Sequence, residues 1–396
     1  MTKTPTIFCK HEGASLLAFG VEKSTESLGL DDFVALDDFV QHHKGEYIFG
    51  FLTYDLKNKI EDLTSSHNDR FGFPSFYFFV PTYVVRITDK KPTFIKGELN
   101  EFSKSYVEQF LDESSTQTQK LTLAPRASKR QYLQKVEKLQ EHIQQGDIYE
   151  VTFCQEFYAE NCTLNPYATF WKLEEKTNAP FASFVHWNNR FLLSGSPERF
   201  LKKEGRTLIS QPIKGTAKRG ENIQEDQRIK DELRASEKER AENIMIVDLV
   251  RNDLSRIAEK ASVEVRELCG LYSFNTVHQL ISTVQAQLKS SVTFSDLLKA
   301  LFPMGSMTGA PKISAMELIE AHESFFRGLF SGSVGFIAPN GDFDFNVVIR
   351  SIFYHQDNNY VSCPVGGAIT KASDPELEFE ECLLKVKAMQ EILRNE

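Results

Sequence analysis

Segments that read as strands and segments that read as helices follow one another along this chain without a regular strand–helix–strand rhythm. That irregular order points to an α+β fold with large antiparallel sheets packed with helices. Aromatic and β-branched runs at Tyr47 to Tyr54 and Ser75 to Val85 read as strands. So do Ile148 to Tyr158, Phe181 to Trp187, Arg190 to Ser194, Ser331 to Ala338 and Asp344 to Tyr354. Between them, Ser128 caps a helix whose Tyr132, Val136, Leu139 and Ile143 share one face, and Gly146 ends it. A second helix is predicted over Asp231 to Val250, with Ala241, Ile244, Met245 and Leu249 inward. The last helix opens at Ser373-Asp374-Pro375-Glu376, a capping-box pattern with proline in the first turn. Its apolar stripe is Phe379, Leu383, Val386 and Met389.

With 396 residues the chain can form one large unit or two domains. The small, polar stretch from Asp112 to Arg130 reads as a linker. It predicts an N-terminal subdomain over residues 1–120 and a larger unit over 121–396. Phenylalanine, with 32 copies against 2 tryptophans, should dominate the core. A net charge of -9 argues against nucleic acid as a partner, so any anionic ligand must be met by local groups. Six cysteines without a C-x-x-C pair suit a reducing compartment. No window approaches eighteen apolar residues, and Met1-Thr2-Lys3-Thr4 does not start a signal peptide. The expectation is a cytoplasmic protein with no membrane partner.

The chemistry concentrates in a few segments. Gln211-Pro212-Ile213-Lys214-Gly215-Thr216 places a lysine in what reads as a tight turn, shortly after Ser196-Pro197-Glu198-Arg199-Phe200. Such a lysine is a plausible nucleophile. Glu239 with Glu242, and Glu378 with Glu381, are pairs spaced by three, which puts each pair on one helix face. Two such faces could hold a hard cation such as Mg²⁺ between them, although a solvated acidic face has the same pattern. Gly366-Gly367-Ala368, after the strand-like Tyr360 to Cys363, frees backbone amides to meet a carboxylate. The loop from Pro303 to Lys312, which contains Thr308, leads into a helix N-terminus. Arg350 reads as late in an alternating strand from Phe343 to Ile352, on the face of Asp344, Asn346 and Val348. There it could clamp a carboxylate. His278, among apolar neighbours, is either a buried structural histidine or a proton carrier.

Taken together, these segments resemble the chorismate-utilising enzymes, which include anthranilate, aminodeoxychorismate, isochorismate and salicylate synthases. The resemblance runs from about residue 125 to the end. It rests on Gly146-Asp147-Ile148-Tyr149, Ser196 to Phe200, Pro212 to Thr216, and Arg240-Ala241-Glu242-Asn243 through Arg251-Asn252-Asp253. It continues through His278-Gln279-Leu280, Thr308 to Lys312, Ile349-Arg350 and Glu378 to Glu381. The N-terminal part matches chiefly in Gly50 to Leu56. The implied fold is that of anthranilate synthase component I, with residues 121–396 as the chorismate-binding catalytic domain. In some relatives the N-terminal part, here residues 1–120, binds tryptophan as a structural or regulatory ligand.

Two positions sort the reactions within the family. Where isochorismate and salicylate synthases carry a lysine base, this chain has Glu150, which disfavours water addition. Lys214 stands where anthranilate synthases usually have alanine, so the resemblance is to the aminodeoxychorismate synthases of p-aminobenzoate and folate synthesis. It implies that Lys214 attacks C2 of chorismate, Glu198 protonates the departing C4 hydroxyl, and ammonia then displaces the lysine. For that the lysine pKa must fall through desolvation or a nearby cation. His278 is a further catalytic candidate. Glu242 and Glu381 are the implied direct Mg²⁺ ligands, with Glu239 and Glu378 beside them. Gly215, Thr216, Thr308, Phe330, Arg350, Gly366, Gly367 and Ala368 are the implied substrate contacts. Glu150 and Glu156 depart from the Gln and Arg common in amine-using members, and Ala368 from the usual third glycine. The chain shows no glutaminase segment, so glutamine-derived ammonia would come from a separate glutaminase subunit. The competing readings are an anthranilate synthase component I and a non-catalytic chorismate-binding subunit.

Overall fold

A computed structural model describes residues 4–11, 14–27, 29, 32–112, 119–275 and 277–395. Its strands form two antiparallel sheets, one of eleven strands and one of ten. The first runs Gly309–Ala310, Glu150–Ala159, Tyr360–Ile369, Ser351–His355, Arg190–Ser194, Ser183–Trp187, Thr6–His11, Ala14–Phe19, Tyr83–Thr88 and Lys91–Lys96. Ala124–Pro125 also pairs with Glu150–Ala159. The second runs Ile213–Lys218, Val277–Gln287, Thr207–Gln211, Arg199–Glu204, Phe343–Asn346, Ser333–Ile337, Ile48–Leu52, Phe76–Val80 and Lys23–Glu26. Glu264–Ser273 adds to Val277–Gln287.

The period of two explains how the layers stack. Along the first sheet Ile7, Leu16, Val185 and Leu192 point toward Phe49, Phe51 and Phe345 of the second. Their sequence neighbours Phe8, Leu17, Phe184 and Phe191 point the other way, into a second core shared with helices such as Lys129–Gln145, Pro166–Thr177 and Pro375–Arg394. Phenylalanine does dominate: Phe49, Phe51, Phe76, Phe78 and Phe79 are all fully buried. The six cysteines are free and buried.

Strands from both sides of residue 120 share both sheets. Thr6 pairs in register with His186, and Ile48 with Ile337. The boundary read near residue 120 therefore marks a change of composition and not a division of the sheets. Residues 113–118 of that stretch lie outside the described residues, as do Met1 to Lys3 and Thr276.

Four local expectations are corrected. Ser75 to Val85 is two strands, Phe76–Val80 in the second sheet and Tyr83–Thr88 in the first. Pro81, which cannot donate to a ladder, sits at the crossing. The run from Phe343 to Tyr354 also divides, into Phe343–Asn346 and Ser351–His355, with Arg350 at φ 53° between them. The predicted helix over Asp231 to Val250 is two helices, Ile223–Ala235 and Glu237–Ile257, because Ser236 is extended and caps the second by accepting from Glu239 N. That second helix buries Ile246, Val247, Val250 and Leu254, while Ala241 and Ile244 are exposed. Its rotation follows from Asn243, whose Nδ2 donates to the Leu280 carbonyl at 3.2 Å and so fixes which face meets the sheet. In the last helix Asp374, not Ser373, is the cap, accepting from Glu376 N and Leu377 N. There Cys382 is buried and Leu383 is 41% exposed.

Candidate active site

One cavity gathers most of the residues singled out from the sequence. Lys214, Gly215, Thr216, Glu198, Glu239, Glu242, Phe330, Arg350, Gly366, Gly367, Ala368, Glu378 and Glu381 all line it.

Lys214 is not in a turn. It sits in strand Ile213–Lys218, where the register to Val277–Gln287 slips between Ile213↔Ile281 and Thr216↔Gln279. Lys214 and Gly215 thus oppose Leu280 alone, which makes a bulge, and bulges re-aim side chains. Gly215 takes φ 88°, and a Cβ there would lie 3.1 Å from Glu239 Oε2. The Lys214 side chain is buried, with its Nζ 2.9 Å from Glu150 Oε1. Burial alone would lower the ammonium pKa, but Glu150 and Glu242 outweigh it and hold the group above its ordinary value. Desolvation does act to lower the lysine as expected, but the buried carboxylate of Glu150 turns the net direction upward.

Glu198 enters just before strand Arg199–Glu204. Its main chain is held by Ser196, whose Oγ accepts from Glu198 N at 3.2 Å and donates to Val347 O at 2.6 Å. Arg199 does not pair with it. Arg199 forks onto Asp344, with Nε to Oδ1 at 2.9 Å and Nη2 to Oδ2 at 3.0 Å. Burial pushes Glu198 up to about 7, with Ser306 and the Lys214 ammonium only partly offsetting it. It is thus a carboxyl poised to give a proton near neutral pH.

The two acidic pairs converge from two helices. Glu239 and Glu242 come from Glu237–Ile257, Glu378 and Glu381 from Pro375–Arg394. A Cβ on Gly367 would lie 3.2 Å from Glu378 Oε2 and 3.4 Å from Glu381 Oε1, so the strand carrying Gly367 packs directly against the second pair. Burial drives Glu242 up to about 8 and also raises Glu239, with neighbouring carboxylates adding to both. Glu242 Oε1 is buried with no hydrogen-bond partner among the described residues. Two lysines answer this charge. Lys238 Nζ lies 2.9 Å from Glu378 Oε1 and 3.8 Å from Glu242 Oε1. Lys385 pairs with Glu381 and donates to the Gly366 carbonyl at 2.6 Å. Burial works to raise Glu381, but Lys385 outweighs it and holds that carboxyl below the usual range. Among the described residues, no three His, Cys, Asp or Glu side chains close on one point as a formed metal cluster. The donor chemistry, all carboxylate oxygen with one buried oxygen lacking a hydrogen bond, nevertheless fits a hard divalent cation.

The glycine run is strand and not post-strand loop. Gly366, Gly367 and Ala368 pair with Cys154, Phe153 and Thr152, while the partner on the other edge ends at Ser362. That leaves an edge of the strand toward the cavity. Arg350 lines the same space from the crossing between the sheets, lowered by burial against the pull of Glu381.

Two candidates lie outside the cavity lining. His278 is fully buried, with Nε2 2.8 Å from Asp226 Oδ1 and Nδ1 2.9 Å from Ser273 Oγ. Its neighbour Gln279 reaches the cavity instead. Thr308 is fully buried, and its hydroxyl donates to Met304 O and Gly305 O at 3.3 Å. Ser306 and Met307 take its place in the lining. Thr152, Lys238 and Lys385 also line the cavity without having been singled out. For the lysines a signal existed: Lys238 and Glu242, and Glu381 and Lys385, are spaced by four on their helices.

Residues 6–391 match the chorismate binding enzyme family. The chain belongs to that family. It is 40% identical over 281 residues to the chloroplastic aminodeoxychorismate synthase of Arabidopsis thaliana, covering 70% of this chain and 30% of that protein. It is 32% identical over 360 residues to aminodeoxychorismate synthase component 1 of Bacillus subtilis, covering 87% of this chain and 76% of that protein. Among solved structures it resembles anthranilate synthase component I of Streptococcus pneumoniae, with a TM-score of 0.78 and 26% identity, over 97% of this chain and 90% of the other. The chain thus spans about a third of the plant relative and about three quarters of the Bacillus one.

Proposed function

We propose that this chain aminates chorismate at C4, giving 4-amino-4-deoxychorismate for p-aminobenzoate and folate synthesis, as the chorismate-binding component of an aminodeoxychorismate synthase. The observation that carries the reading is that a buried lysine, Lys214, and a carboxyl held near neutral pKa, Glu198, line one cavity. The names of the Arabidopsis and Bacillus relatives support it.

In this reading Lys214 loses a proton and bonds to C2 of the ring. The conjugated ring electrons shift, the C4–O bond breaks, and Glu198 protonates the hydroxyl so that it leaves as water. Ammonia bonds to C4, the electrons return, and the C2–N bond to Lys214 breaks. The strand edge at Gly366 to Ala368, with Arg350 and Lys385, binds carboxylates of the substrate. Phe330 packs against the ring. Glu242 and Glu381, with Glu239 and Glu378, would hold Mg²⁺, which when bound supplies positive charge to the ring carboxylate. Ammonia is delivered by a separate glutaminase component.

The test is incubation of the purified chain with chorismate, Mg²⁺ and ammonium at alkaline pH, followed by mass spectrometry. A product that keeps the enolpyruvyl group and carries an amine in place of the hydroxyl is expected. Fluorescent anthranilate with released pyruvate would instead assign the chain to anthranilate synthesis.

A further inference from the structure

Glu150 opens strand Glu150–Ala159, at the edge where Ala310 pairs with it. Its residue is fully buried, and its Oε1 is 2.9 Å from Lys214 Nζ. Both of its carboxylate oxygens are buried without a hydrogen bond of good geometry among the described residues, so its contact with Lys214 is an ion pair. A carboxylate placed this way is costly unless its ammonium neighbour compensates it. The charged groups that face Lys214 are Glu150, Glu242 and Glu198. Glu198 is needed to deliver a proton, and Glu242 faces Lys238 and the other acidic pair. Glu150 is the one in ion-pair contact with the lysine.

We infer that Glu150 is the base that deprotonates Lys214 for its attack on the substrate. The inference rests on the nucleophilic role proposed for Lys214 and names the group that takes its proton. One proton passes from Lys214 Nζ to Glu150 Oε1. The freed lone pair on nitrogen forms the bond to C2, the C4–O bond breaks, and the hydroxyl leaves as water with the proton from Glu198. When ammonia has bonded to C4 and Lys214 is expelled, Glu150 returns its proton to the lysine. Glu198 takes one from the new ammonium group. No net charge is created, and no proton has to reach solvent.

The experiment compares the wild-type chain with Glu150→Gln and Glu150→Asp across pH, with chorismate, Mg²⁺ and a fixed concentration of free ammonia. In the wild type, kcat/KM should fall on the alkaline side as Glu198 ionises, with no acid limb from the lysine. In Glu150→Gln a new acid limb should appear, rising about tenfold per pH unit, because Lys214 must now lose its proton to solvent. Glu150→Asp should restore part of the wild-type profile. A second measurement needs no turnover: acylation of Lys214 by acetic anhydride, read by peptide mass spectrometry. Its midpoint should move to lower pH in Glu150→Gln, since burial then acts on the lysine without that carboxylate. An unchanged profile and an unchanged acylation midpoint in Glu150→Gln, with an aminating wild type, overturn the inference alone. A wild type that makes no aminated product overturns the functional reading and the inference together.

Discussion

Lys238 bridges the two acidic helices: its Nζ lies 2.9 Å from Glu378 Oε1 on one and 3.8 Å from Glu242 Oε1 on its own. An ammonium thus sits between carboxylates that would otherwise repel, at the place proposed for a divalent cation. Lys238→Met should lower the thermal midpoint in EDTA and enlarge the upward shift produced by Mg²⁺. Differential scanning fluorimetry with and without the metal checks both. An equal Mg²⁺ shift in wild type and variant would mean that lysine and metal do not compete.

Lys214→Ala should reduce amination by at least about a hundredfold, the scale of losing a nucleophile. Chorismate binding, followed by calorimetry, should survive, because the carboxylate-binding groups lie on other elements. A variant that aminates at the wild-type rate would remove Lys214 from the chemistry.

Glu198 has its folded pKa raised from 4.5 to about 7 by burial. The folded chain therefore holds this proton more tightly than the unfolded chain does, so the group's contribution to stability falls as pH rises from about 4.5 to about 7. Glu198→Gln, which cannot ionise, should flatten that part of the stability curve, measured by urea unfolding at several pH values. The same variant should lose amination by about a hundredfold or more, the scale of losing a general acid. A stability slope as steep as the wild type's would show that Glu198 does not titrate in this window.

Gly215→Ala should damage the site more than the fold. The position has φ 88°, and the added methyl would press on Glu239 Oε2 at 3.1 Å. Left-handed strain in a non-glycine residue costs roughly 1 kcal/mol or more, which a chain of this size can absorb. The expected result is a folded protein by circular dichroism with a raised KM and weakened Mg²⁺ dependence.

What the sequence made legible follows a physical division. Helix Lys129–Gln145 was readable from Ser128 to Gly146 because its caps and its apolar stripe are local. The phase of helix Glu237–Ile257 was not, because Asn243 and Glu242 turn it toward partners that arrive from the sheet and the cavity. The broken strand at Arg350 was hidden for a similar reason: its alternation is continuous in sequence, yet its two halves belong to different sheets. The ordered motifs single out Lys214, Glu198 and the four glutamates one by one, but that they line one cavity is visible only in the fold. Glu150 was noticed as a departure, but its contact with Lys214 depends on strands that meet only through the fold. His278 takes the buried, hydrogen-bonded place that its apolar neighbours allow, against Asp226 and Ser273, and the Thr308 hydroxyl donates to nearby carbonyls.

The strand Tyr360–Ile369 lies inside the first sheet, between Glu150–Ala159 and Ser351–His355. A growing chain must therefore reach past residue 360 before the middle of that sheet can close. Until then, the ladder groups of Glu150–Ala159 that it will satisfy stand open, the kind of edge that recruits other chains. The fold is also rich in distant pairings, which slows the search for them. A chain cut short before residue 360 would thus lack the insert that fills the gap rather than a dispensable tail, and the expected fate of such a product in a cell is capture by chaperones or aggregation. Production of this protein should be sensitive to anything that delays the arrival of residues 360–369.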